Sequence, residues 1–110
     1  MSSLGRTTPL SSYDADFTDG QAETAISIPR KAVFCTVDVT GSDVWIVGNT
    51  SNGSKGLSSS PATKSIKILK DWVLPFPMQL MDYGQDQVLT HFKFIPVAGA
   101  AGHITVNFFE

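Results

Sequence analysis

Chemistry in this chain would fall to a handful of side chains: Cys35, His91, His103 and the carboxylates Asp14, Asp16, Asp19 and Asp38. A nucleophilic site needs a thiol or hydroxyl beside a base and an orienting group. Cys35 alternates with Val33, Val37 and Val39, an apolar strand face on which desolvation keeps a thiol protonated and inert. No cysteine or carboxylate stands at a metal-ligand spacing from His91 or His103. Both histidines therefore read as surface positions, His91 sharing its face with Lys93. Asp14, Asp16 and Asp19 imitate a calcium loop, but the glycine and terminal glutamate such a loop needs are out of register. Asp38, within the valine strand, is expected to be partly buried and paired with Arg30 or Lys31. Neither a GxGxxG turn nor a phosphate-cradling GxxxxGK run is present. The expectation is a chain with no catalytic residues, no cofactor and no metal.

Whatever the chain does must then come from its shape. At 110 residues and 11.8 kDa it is the size of one domain. Charged residues make up 16%, below the roughly 25% of ordinary soluble domains. Twelve Ser, ten Thr, nine Gly and six Pro fill the gap, a composition that favours short strands joined by turns. A net charge of −2 supplies no positive field to gather phosphates, so nucleic acid is not an expected partner. The single cysteine excludes an internal disulfide framework. No basic cluster precedes an apolar run, and no apolar stretch approaches the ~20 residues of a membrane span. Synthesis and retention in the cytosol, or export by a route without a readable signal, are expected, with no membrane partner.

Residues 1–21 carry Met1, Leu4, Leu10, Tyr13 and Phe17 without a clear period. They are expected to form an extended N-terminal arm, either frayed or ordered on a neighbouring chain through Leu10, Tyr13 and Phe17. Residues 22–110 form the body. Strands are expected over Ala22–Ile28, Arg30–Thr40, Asp43–Gly48, Ser65–Lys70, Gln87–Ile95 and His103–Phe109, each with alternating or continuous apolar positions, with one or two short ones around Trp72 to Met81. Gly41 and Ser42 suggest a hairpin between the second and third of these, and the last two are close enough in sequence to pair antiparallel. Gly48–Lys64 is expected to be a long surface loop. The run from Asp71 to Gln85 is the most apolar, and Pro75 and Pro77 bar a helix or a central strand through it. It must be buried in the body or against a partner. With no helical period anywhere, the economical fold is all-β: an antiparallel β-sandwich, jelly-roll-like, with the N-terminal arm.

In organisation, from the SSLGRTTPLSSYDADF arm through VDVTGSDVWIVGNTSNG to the closing HITVNFF strand, the chain resembles the small head decoration, or cement, proteins of tailed bacteriophages. The resemblance implies a dimeric or trimeric module, without a small-molecule substrate, that stabilises a phage head. It would bind the outer face of the capsid across joints between major capsid protein subunits, on a virion assembled in the host cytoplasm. The contact candidates are Leu10, Tyr13 and Phe17 in the arm and Trp72, Phe76, Met78, Leu80, Met81 and Tyr83 in the apolar run. Two other readings fit the same residues. One is a carbohydrate-binding sandwich that stacks sugars on Trp72, Trp45 or Tyr83; the other is a tail or baseplate adaptor.

Overall fold

The computed structural model describes residues 8–49, 65–82, 87–97 and 99–110. Tyr83 and most of the expected Gly48–Lys64 loop lie outside these residues. The strands are β1 (Pro9–Phe17), β2 (Thr24–Ser27), β3 (Phe34–Thr40), β4 (Val44–Asn49), β5 (Ile66–Ile68), β6 (Phe76–Gln79), β7 (Met81–Asp82), β8 (Gln87–Val88), β9 (His91–Pro96) and β10 (Gly102–Phe109). Two four-stranded antiparallel sheets, ordered β1-β10-β3-β6 and β2-β9-β4-β5, face one another, and β7 and β8 pair separately. Successive strands change sheet at almost every connection, which is the strand order of a jelly roll.

Alternation in the sequence explains which side chains meet between the sheets. Cys35, Val37 and Val39 of β3 and Ile104, Val106 and Phe108 of β10 point inward from the first sheet. They meet Ile26, Val44, Ile46, Ile68, Phe92 and Phe94 from the second. Each such side chain contributes about 1.5–3 kcal/mol by leaving water. Val33, expected on the same face as Cys35, precedes β3 and is exposed. No buried side-chain nitrogen or oxygen among the described residues lacks a hydrogen-bond partner.

Three expectations are corrected. Residues 9–17 are not an arm on a neighbour: β1 pairs with β10 of its own chain along its whole length, and Glu110 N–H donates to the Thr8 carbonyl at 2.9 Å. Leu10 and Tyr13 pack against the core and Phe17 is buried within it. A register shift between Pro9 and Ser11 inserts Leu10 as a bulge, which breaks the period of two that would have announced a strand. Secondly, β3 and β4 do not form a hairpin. Gly41, with φ +86°, turns the chain out of one sheet and into the other. Thirdly, β9 and β10 do not pair, because they lie in different sheets. In the second and third cases turn residues signal a reversal of direction, and a reversal serves a hairpin or a sheet-to-sheet crossing equally well.

Candidate interaction surface

The Cys35 thiol is fully buried, and burial pushes its pKa up to about 12. In the native protein Cys35 is therefore expected to resist iodoacetamide at pH 8 for hours and to alkylate fully in guanidinium; rapid native labelling would show that β3 opens readily. His91 contacts the Thr90 hydroxyl through Nδ1 at 3.1 Å. Asp38 is half-buried and sits opposite Thr105 in register.

Sequence reasoning left His103 and the acidic residues apart, and the structure brings them together. Asp14 and Asp16 on β1 stand opposite Thr105 and His103 on β10. His103 Nδ1 lies 2.6 Å from Asp16 Oδ1, Nε2 contacts Asp14 Oδ1, and the Thr105 hydroxyl donates to Asp14 at 3.0 Å. Hydrogen bonds to Asp16 and then Asp14 raise the His103 pKa, and the hydrogen bond from His103 lowers that of Asp14. The signal was present as two matching i, i+2 pairs, Asp14 with Asp16 and His103 with Thr105, each on one strand face. Both ring nitrogens are engaged by carboxylates, so the imidazole acts as a bridge between strands.

The most exposed apolar surface lies where the chain passes from β5 to β6. Trp72, Val73 and Leu74 are 46%, 98% and 73% exposed, in a run from Asp71 that precedes β6 at the edge of its sheet. Asp71, in a left-handed conformation with φ 58°, donates its N–H to the Val39 carbonyl at 2.8 Å and anchors the base of the run to β3. The Trp72 ring packs edge-on against Phe76, with centroids 5.9 Å apart, which holds it in place without covering it. A cleft of about 690 Å³ lined by Asp71, Trp72, Val73, Leu74, Pro75 and Pro77 opens here. Pro77 also lines a second cleft, with Val33, Phe34, Met78 and Gln79.

The backbone of β6 shapes how this surface can be used. Pro77 has no N–H to offer, so its pairing with Thr36 is of the non-hydrogen-bonded kind. Leu80 N–H donates to the Val33 carbonyl at 3.2 Å, which gives Phe76, Met78 and Leu80 the parity that faces β3. Pro75, Pro77 and Gln79 are left to face the open edge, and only Gln79 has a donor there. An added strand would find too few hydrogen bonds. Contact at this edge must be made by side chains.

Of the residues expected to meet a partner, Trp72 is well exposed. Phe76 and Met78 are half-buried against the chain's own core, and Leu80, at 1% exposure, is inside it. Phe17 and Leu80 have their apolar surface within the molecule, while Leu10 and Tyr13, like Phe76 and Met78, are partly buried against the core. Met81 lies in β7. Sequence reasoning missed Val73 and Leu74 as the most exposed members of the run, since hydrophobicity alone predicts burial and not direction. Of the other aromatics proposed as sugar platforms, Trp45 is occupied, with Lys67 Nζ over its ring at 5.6 Å.

No family model matches the sequence, and no curated protein matches it. Among solved structures, the chain is similar to one from the disulfide-linked pili of Bacillus endospore appendages, at 13% identity and a TM-score of 0.45, over 94% of this chain and 89% of that one. That likeness is too distant to bear on function.

Proposed function

We propose that this chain is a non-enzymatic structural protein of a virion, a decoration subunit that binds the outer surface of a tailed-phage head between major capsid subunits and stabilises it. The observation that supports this reading is the exposed Trp72–Val73–Leu74 run beside a sheet edge where prolines leave Gln79 as the one outward backbone donor of β6. An isolated subunit gains nothing by holding these side chains in water, whereas a partner that covers them gains about 25 cal/mol per Å² of apolar surface. Viral shells are one recurrent setting of the jelly roll, which by itself is an analogy. Repetition over a symmetric lattice turns a modest contact into a large sum.

The test is binding of purified protein to expanded, undecorated phage heads, followed by sedimentation. Saturable binding is expected. The double substitution Trp72→Ala, Leu74→Ser should weaken it by roughly thirtyfold or more, the scale of losing an interface anchor. Its thermal midpoint should stay close to that of the parent, since substitution at exposed positions changes stability by only about 0.5 kcal/mol. Absence of saturable binding, or equal binding by the variant, would overturn the proposal.

A further inference from the structure

We infer that His103, Asp14 and Asp16 form a pH-sensitive clasp that holds edge strand β1 to β10 while the imidazole is charged and loosens it when the ring loses its proton. The inference is independent of what covers Trp72. It starts from donor counting: a neutral imidazole has one N–H and one lone pair, yet here each ring nitrogen faces a carboxylate oxygen. Both contacts can be hydrogen bonds only if both nitrogens carry protons. Removing one proton turns a nitrogen lone pair toward a carboxylate.

The strands of the sheet offer no substitute charge. The four strands of this sheet, β1, β10, β3 and β6, contain no Lys or Arg. The ionisable groups facing His103 are Asp14 and Asp16 from β1 and, across β10, Asp38 of β3, whose neighbour Thr40 stands opposite His103. Asp19 is turned away, accepting from Gly99 N–H at 2.8 Å. Deprotonation thus leaves three carboxylates on one sheet face without a cation. β1 is the element that can respond, because it is an edge strand whose one neighbour in the sheet is β10. Near the clasp its inward anchors are Tyr13 and Phe17, both edge-on to Phe94.

The sign follows from the directions of the shifts. His103 titrates above its ordinary 6.5 in the fold, so its contribution is complete below that value and disappears as pH rises through the raised one. Asp14 titrates below its ordinary 3.8, so its contribution is present above that value and disappears as pH falls through the lowered one. The clasp is therefore strongest in mildly acidic solution and opens on the alkaline side. All three side chains are accessible, His103 at 39%, Asp14 at 61% and Asp16 at 90%, so molar salt should weaken it.

The test is amide hydrogen exchange of the full chain between pH 6 and 9, corrected for intrinsic rates, comparing residues 11–17 with residues 35–39 of β3. Protection of β1 should fall by roughly three- to tenfold across this range relative to β3, the scale of one or two accessible ion pairs. His103→Gln, which keeps a donor but cannot charge, should start from the lower protection and show no such fall. Asp16→Asn should flatten the profile in the same way, and serves if the glutamine variant does not fold. ¹⁵N shifts of the His103 ring should show both nitrogens protonated at pH 6. A neutral ring at pH 6, a β1 profile that tracks β3, or the same fall in His103→Gln or Asp16→Asn would overturn the inference.

Discussion

Phe94→Ala is expected to remove about 3–5 kcal/mol of folding stability. Phe94 is 1% exposed and stands where the two sheets meet. Its ring takes the edges of Tyr13 at 6.4 Å and Phe17 at 6.3 Å, both from β1. Truncation would leave a cavity that β1 cannot fill without leaving β10, so most of the lost contact should persist as a void. Against a total of about 5–15 kcal/mol, this is a large share. Urea unfolding followed by circular dichroism should show the midpoint move sharply at constant slope. A loss under about 1 kcal/mol would mean that the sheets are not packed through this ring.

Gly102→Ala should be nearly as damaging, for the opposite reason. A Cβ at this position would lie 2.1 Å from the Thr40 carbonyl oxygen and 2.6 Å from Phe17 Cζ. Phe17 is directly opposite Gly102 in register, and its ring covers the space a side chain would take. The ring could tilt, but the Thr40 carbonyl belongs to the neighbouring strand and can retreat only by parting β3 from β10. The expected cost is about 3 kcal/mol or more, at or beyond the upper end for overpacking. Gly20→Ala is the comparison: nothing lies within 4 Å of its Cβ, and φ is +79°, so only backbone strain of about 1 kcal/mol applies. Equal effects at the two positions in thermal unfolding would contradict the packing described. The pair Gly102→Ala, Phe17→Leu should recover a minor part of the loss.

Strands were legible where one face is uniformly large and apolar. In β3 and β10 the inward series Cys35, Val37, Val39 and Ile104, Val106, Phe108 is unbroken; β10 matches its expected range to within one residue, while β3 begins at Phe34, four residues after the expected start at Arg30. In β1 the inward series runs Leu10, Tyr13, Ala15, Phe17. A bulge at its start and a small residue near its end hide the period, so a strand was taken for an arm. Partnership between strands was illegible for a different reason. The sequence around Gly41 and Ser42 states that the chain turns, while the choice of sheet is made by packing between residues far apart. The same distance hid the bridge from His103 to Asp14 and Asp16, whose partners are separated by 89 and 87 positions. Trp72, Val73 and Leu74 were visible as apolar, and the prolines correctly kept their segment from the middle of a sheet. That they project outward depends on Asp71 pinning the run to β3.

The placement of β10 between β1 and β3 has a consequence for biosynthesis. Strand β1 finds its lateral neighbour in β10, and residues such as Asp14 and Thr105, 91 positions apart, cannot meet until the ribosome has finished β10. At ordinary elongation rates that delay is on the order of ten seconds. Closing so long a loop then adds to a slow folding step. During this interval the nascent chain presents Tyr13 and Phe17 uncovered, the kind of segment a holdase chaperone takes up. The sheet that carries the clasp is thus completed only once β10 has been made.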